Sequence, residues 1–165
     1  MAEAGNLAMV RYSLDKGGKP YNGLYLEVPL AKAVTAFGYD VVDLLLERGA
    51  DPNKYERRGR TLLTVAVRTG SMVMMRKLVD AGLKVRDPQV WPNLDADERA
   101  LRQAVKMEHR AMVELLLDTG AGPESGRASV LRTAERLGLE SMADLLRSRG
   151  ITRTATEVDP AKEAA

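Results

Sequence analysis

Five glycines, Gly17, Gly49, Gly82, Gly120 and Gly150, each close an apolar run, and they stand 32, 33, 38 and 30 residues apart. The runs are VRYSLDKG, VVDLLLERG, MMRKLVDAG, MVELLLDTG and MADLLRSRG. Within them apolar residues recur three and four apart, as Val41, Val42, Leu45 and Leu46 do, which is the spacing of one helix face. Glycine is the expected residue just past such a helix, because it enters the left-handed region without a Cβ penalty. Helix stops at a near-constant interval require a repeated unit, and this constrains the fold more than any composition figure.

A second, shorter helix is predicted upstream of four of these runs: VPLAKAVTAF (28–37), TLLTVAVRTG (61–70), RALRQAVKME (99–108) and SVLRTAERLG (129–138). All four carry leucine at the third position (Leu30, Leu63, Leu101, Leu131) and alanine three residues later (Ala33, Ala66, Ala104, Ala134). Small residues there let neighbouring helices approach closely. The unit is helix, short turn, helix, glycine stop, extended loop. No such unit buries its apolar face alone, so the units must stack into a solenoid. With aromatics at only 4% and eight methionines among the apolar residues, helices packed through aliphatic side chains are favoured over a β-sandwich. The predicted fold class is all-α.

These residues resemble the ankyrin repeat, with its period of about 33 residues and its Thr-Pro-Leu-His-x-Ala opening. The stretch VPLAKAVTAFGYDVVDLLLERGADPN fits through Pro29, Leu30, Ala33, Val41, Val42, Leu44 to Leu46, Gly49, Ala50, Asp51 and Asn53. The following KYERRGRTLL keeps the spacing to Gly59 and Thr61, with Glu56 where the family usually has Asp. The resemblance covers roughly residues 5–150 and implies units at 5–17, 28–49, 61–82, 99–120 and 129–150. The first unit has only its second helix, Leu7 to Leu14, and the last is degenerate. Ala31, Thr64, Arg102 and Arg132 replace the family's helix-opening His, so packing is expected to hold the units together more than hydrogen-bonded turns do. The loop after Gly82, LKVRDPQVWPNLDADER, is longer by about five residues than the period allows. Residues 151–165 are polar and small and read as a mobile tail.

Chemistry has few candidates. The chain has no cysteine, which removes disulfides, thiolate nucleophiles and Zn–Cys sites. Its single histidine, His109, falls at an inter-helix turn and reads as structural; no Gly-x-Ser-x-Gly elbow accompanies it. Asp95, Asp97 and Glu98 in LDADER read as a helix N-cap with an acidic first turn. No phosphate-cradling glycine loop occurs, so no cofactor is expected and enzyme activity is disfavoured. Met72, Met74 and Met75 read as core filling, and Asn53 as a loop-bracing residue rather than a modification site. No apolar run is long enough to cross a membrane, and the first residues do not form a secretory signal. A cytoplasmic or nuclear monomer is expected.

In this family the first helices and loop tips line a concave groove, and the second helices form its back. Sorted that way, the net charge of +2 conceals a basic groove and a mildly acidic back. The candidate partner-binding residues are Tyr25, Lys32, Tyr55, Arg57, Arg58, Arg60, Arg68, Trp91, Arg102, Lys106 and Arg136. Their arginine and aromatic content suits an interface hot spot. The resemblance implies a non-catalytic protein–protein interaction module, and the charge pattern points to a protein or acidic peptide partner. Two alternatives stand beside it: the ankyrin part of a larger receptor or effector, and weak nucleic-acid binding by the same groove. The small net charge disfavours nucleic acid.

Overall fold

The computed structural model describes residues 2–18, 28–54, 56–57, 60–86, 95–122 and 124–152. Of the expected tail, residues 151–165, Ile151 is buried and closes the last helix cap, while the residues beyond Thr152, and Tyr25, Tyr55, Arg58 and Trp91, lie outside the described residues. In chain order the elements are α1 (Ala2–Asp15), α2 (Val28–Thr35), α3 (Tyr39–Glu47), β1 (Glu56–Arg57), β2 (Arg60–Thr61), α4 (Leu62–Thr69), α5 (Met72–Asp80), α6 (Ala96–Lys106), α7 (Arg110–Asp118), α8 (Glu124–Arg136) and α9 (Glu140–Ser148). The molecule is an all-α solenoid of stacked helix–turn–helix units. Its described strands are two residues each and form a hairpin ladder, Glu56 opposite Thr61 and Arg57 opposite Arg60.

Three helices begin earlier than the periodicity predicts. α1 starts at Ala2 rather than near Leu7, α6 at Ala96 rather than Arg99, and α8 at Glu124 rather than Ser129. The apolar stripe marks only the part of a helix that touches a neighbour. Preceding residues continue it where they suit a helix start, as acidic Asp97 and Glu98 do in the first turn of α6.

All five stop glycines have positive φ, from 76° at Gly150 to 90° at Gly82. Around Gly49 the Ala50 N–H donates to the Leu45 carbonyl at 2.9 Å, and the Gly49 N–H to that of Leu46 at 3.0 Å. This paired arrangement caps the two last free carbonyls of the helix. It recurs as Leu83 to Leu78, Ala121 to Leu116 and Ile151 to Leu146. In these four both side chains are buried, so an apolar clasp closes the cap, whereas at Gly17 the bond runs from the Gly18 N–H to the Ser13 carbonyl. The same stretch holds one departure. Leu44 and Leu45 are buried, whereas Leu46, expected inside, is half-buried at the edge of the face.

The first helices of the pairs, α2, α4, α6 and α8, pack on one another in sequence, and the second helices, α3, α5, α7 and α9, each pack on the first helix before them. α1 packs against α3 and so joins the second-helix layer. The predicted leucines and alanines form the seam: Leu30, Ala33, Leu63, Ala66, Leu101, Ala104, Leu131 and Ala134 are all buried. Met74 and Met75 are fully buried, and Met72 packs at the margin of the core.

Side-chain hydrogen bonds also tie successive units, more than the missing family histidine suggests. His109 Nδ1 accepts from the Met112 N–H at 3.3 Å, which leaves the proton on Nε2, and Nε2 donates to the Gly70 carbonyl at 2.9 Å. One ring thus caps α7 and clasps the preceding turn. Tyr39 and Ser71 hydroxyls meet at 3.0 Å across the turn before that. Asn53 donates through Nδ2 to Gly82 O at 2.9 Å and accepts from the Lys84 N–H at 2.8 Å, so it braces adjacent loops.

Between paired helices the chain needs a left-handed residue. Gly70 and Gly138 supply it at φ 69°, but Phe37 (56°) and Glu108 (53°) occupy the same place in their own units. A non-glycine residue pays about 1–2 kcal/mol there. Glu108→Gly is therefore expected to raise stability by about 1 kcal/mol, read as a higher urea midpoint at unchanged slope. A fall in the midpoint would show that the Glu108 side chain contributes more than its backbone costs.

Candidate interaction surface

The two helix layers carry their charges differently. On the second-helix layer most cations are matched. Arg48 meets Asp15 at 2.7 Å, Lys77 meets Asp43 at 2.5 Å, and Arg149 meets Asp118 at 2.6 Å, each pair joining neighbouring units. Arg110 pairs with Glu114 at 3.0 Å. Arg147 reaches Glu135 at 2.8 Å and Asp144 at 2.9 Å. The Glu135 hydrogen bond is the main cause that raises the Arg147 pKa above its ordinary value. Arg76, Arg11 on α1 and Lys16 just after it are exposed exceptions without an acidic partner among the described residues, and Asp40, Glu47 and Asp80 are exposed acids on the same layer.

On the first-helix layer the cations divide into two groups. Arg102 is half-buried, bonded to Glu98 and donating to Ser129 Oγ of α8 at 2.9 Å, so its guanidinium ties α6 to α8. Arg127 donates to the Ala121 carbonyl at 3.0 Å and holds the loop after α7. Arg99 and Arg132 are engaged as well. Lys32, Arg68, Lys106 and Arg136 are exposed, and none has an acidic partner among the described residues. Each lies in the last turn of its helix, where a cation also complements the negative end of the helix dipole.

Of the sequence-predicted candidates, these four share one layer, and Arg102 lies with them but is spent on the scaffold. Arg57 and Arg60 face one another across the hairpin ladder at the loop tip. Six large apolar residues are exposed among the described residues: Met9, Tyr12 and Val73 lie on the second-helix layer, and Phe37 at 42%, Met107 at 39% and Leu137 at 49% exposure are the remaining three. Phe37, Met107 and Leu137 follow the last turn of a first helix, on the same layer as Lys32, Arg68, Lys106 and Arg136. Their only signal in the sequence is negative: they fall off the leucine–alanine stripe yet are not polar.

The acidic run before α6 also differs from its sequence reading. Asp95 occupies the N-cap position without a side-chain cap bond. Asp97 is the buried one, and its two oxygens accept from the Glu98 N–H at 2.9 Å and the Gly122 N–H at 3.0 Å. Arg86 Nε stands 3.9 Å from the same carboxylate. Asp97 thus joins a helix start to the loops on either side of it. Among the described residues no cluster of His, Asp or Glu is placed to hold a metal ion, and no helix is long and apolar enough to cross a membrane.

Stacked helix pairs with glycine caps and side-chain ties between turns define a helical repeat solenoid. The chain belongs to the ankyrin repeat family, whose pattern matches in three copies over residues 30–127. An ANK repeat-containing protein of Caenorhabditis elegans, nipk-1, is 30% identical over 130 residues, covering 70% of this chain and 21% of that protein. The chain therefore spans about one fifth of the length of the curated relative it matches. Ankyrin repeats generally mediate protein–protein interaction and are typically non-catalytic.

Proposed function

We propose that the chain is a protein–protein interaction module that presents a basic, concave first-helix face to a protein or acidic peptide. The observation that carries this is the unequal charge matching of the two layers. Five second-helix-layer cations, Arg48, Lys77, Arg110, Arg147 and Arg149, are held in ion pairs, while exposed Lys32, Arg68, Lys106 and Arg136 have no acidic partner among the described residues. Unmatched cations on one face steer and orient an acidic partner, adding more to on-rate and specificity than to raw affinity. Arg57 and Arg60, paired in the hairpin ladder, extend the basic face, and Arg58, Tyr25, Tyr55 and Trp91 remain sequence candidates for further contacts. In this reading the module acts as a monomer in the cytoplasm or nucleus.

Reversing the loop-tip charges tests the reading. Arg57→Glu with Arg60→Glu keeps like charges opposed across the ladder, so thermal unfolding is expected to stay nearly unchanged. Capture of acidic partners is expected to fall, and wild-type capture to weaken with salt, as rim charges do. Undiminished capture by the double reversal would contradict a basic binding face. A second reading makes the array the interaction segment of a longer receptor or effector, and the 21% share of the relative favours it. Both readings assign the same face.

A further inference from the structure

The unmatched cations of α4, α6 and α8 share one register. Arg68, Lys106 and Arg136 each lie two residues beyond a fully buried alanine, Ala66, Ala104 and Ala134. Because α4 packs on α6 and α6 on α8, equal register sets the three in a row. Their spacing is one helix-to-helix step, about 8–10 Å. An apolar row accompanies it: Met107 directly follows Lys106, Leu137 directly follows Arg136, and Phe37 stands at the turn after α2. Met107 leans on the preceding turn, with its methyl 3.3 Å from where a Cβ on Gly70 would stand. At the same register α2 carries exposed, uncharged Thr35, so the cation row begins at Arg68.

A ligand that matches this row must present one negative charge per step, all on one side. A polyproline II chain does so with every third residue. Its three residues per turn and 3.1 Å rise return positions i, i+3 and i+6 to the same side about 9.3 Å apart. A β-strand covers the same distance in three residues, but its alternation turns every second charge away. An α-helix needs about seven residues per step, and its girth of about 10–12 Å overhangs a strip one residue pair wide. Charge selects an acidic ligand, and the spacing selects its conformation. We infer that the first-helix face binds a polyproline II segment with an acidic side chain at every third position and apolar residues between. This rests on the reading of that face as the surface for an acidic partner.

Fluorescence anisotropy with the full chain tests it. The probe is a labelled peptide of four Glu-Leu-Pro triplets. The control holds the same residues with glutamates alternately two and four apart. The triplet peptide is expected to bind about tenfold tighter than the control, and Lys106→Glu to remove about tenfold of its affinity. Thr35→Lys extends the row by one charge and is expected to tighten triplet binding about two- to fivefold, the range of one exposed ion pair. A gain of that kind cannot arise from unfolding. Equal affinity for the two peptides overturns the spacing while leaving the acidic-partner reading intact. Tighter binding of a helical peptide with glutamate every seventh residue, or of oligothymidylate, overturns the polyproline II assignment. Failure of every peptide to bind also overturns it, and the Arg57/Arg60 comparison then decides the broader reading separately.

Discussion

Leu101→Ala is expected to cost about 2–5 kcal/mol of folding stability, the range for removing a fully buried leucine side chain. Leu101 is 0% exposed, on a helix that packs against α4, α7 and α8. Its Cδ2 also lies 3.8 Å from where a Cβ on Gly122 would stand, so it supports the turn after α7 as well. In a stacked array stability is shared between neighbouring units, and a cavity here weakens two interfaces together. Leu146→Ala removes an equally buried leucine of α9, whose main packing partner is α8. Urea unfolding should therefore show one cooperative loss for Leu146→Ala, and a broadened transition for Leu101→Ala as the two halves uncouple. A loss below about 1 kcal/mol at Leu101 would mean that the seam is not packed as described.

Asp97→Ala is the second large effect, about 2–3 kcal/mol. The carboxylate accepts two backbone N–H groups, and removing it strands the buried Gly122 N–H without an acceptor. Asp97→Asn keeps one acceptor oxygen and should lose less, about 1 kcal/mol. Amide exchange at Gly122 distinguishes this from a general loss of stability. Exchange there is expected to accelerate beyond the global change in Asp97→Ala, whereas acceleration only in step with the rest of the chain would deny the bond its role.

The register of the fold was legible because the same local physics writes it five times. A left-handed cap tolerates little but glycine, so Gly17, Gly49, Gly82, Gly120 and Gly150 mark it directly. Buried seams tolerate little but leucine and alanine at fixed offsets, so the short helices announced themselves too. Where helices begin was harder to read, since the first turns of α6 and α8 precede the apolar stripe that gave them away. Side-chain ties were not legible at all. Asp97, Gly122 and Arg86 meet only because the loops fold back, and nothing in LDADER separates the buried Asp97 from the exposed Asp95. The same limit applies to the surface. Sequence offsets place Arg102 and Lys106 on one helix, but only the fold shows that Arg102 is bound to Glu98 and Ser129 while Lys106 has no acidic partner among the described residues.

The exposed cations of the first-helix layer are proposed as the part of the molecule that meets a partner. A quantitative pull-down tests this most directly, read by mass spectrometry, with three baits: the wild-type chain, Arg68→Glu with Lys106→Glu, and Arg76→Glu on the opposite layer. Proteins with acidic segments are expected to be captured by wild type and by Arg76→Glu, and to be lost from the first-helix variant. Capture that survives the first-helix reversal but fails in Arg76→Glu would contradict it.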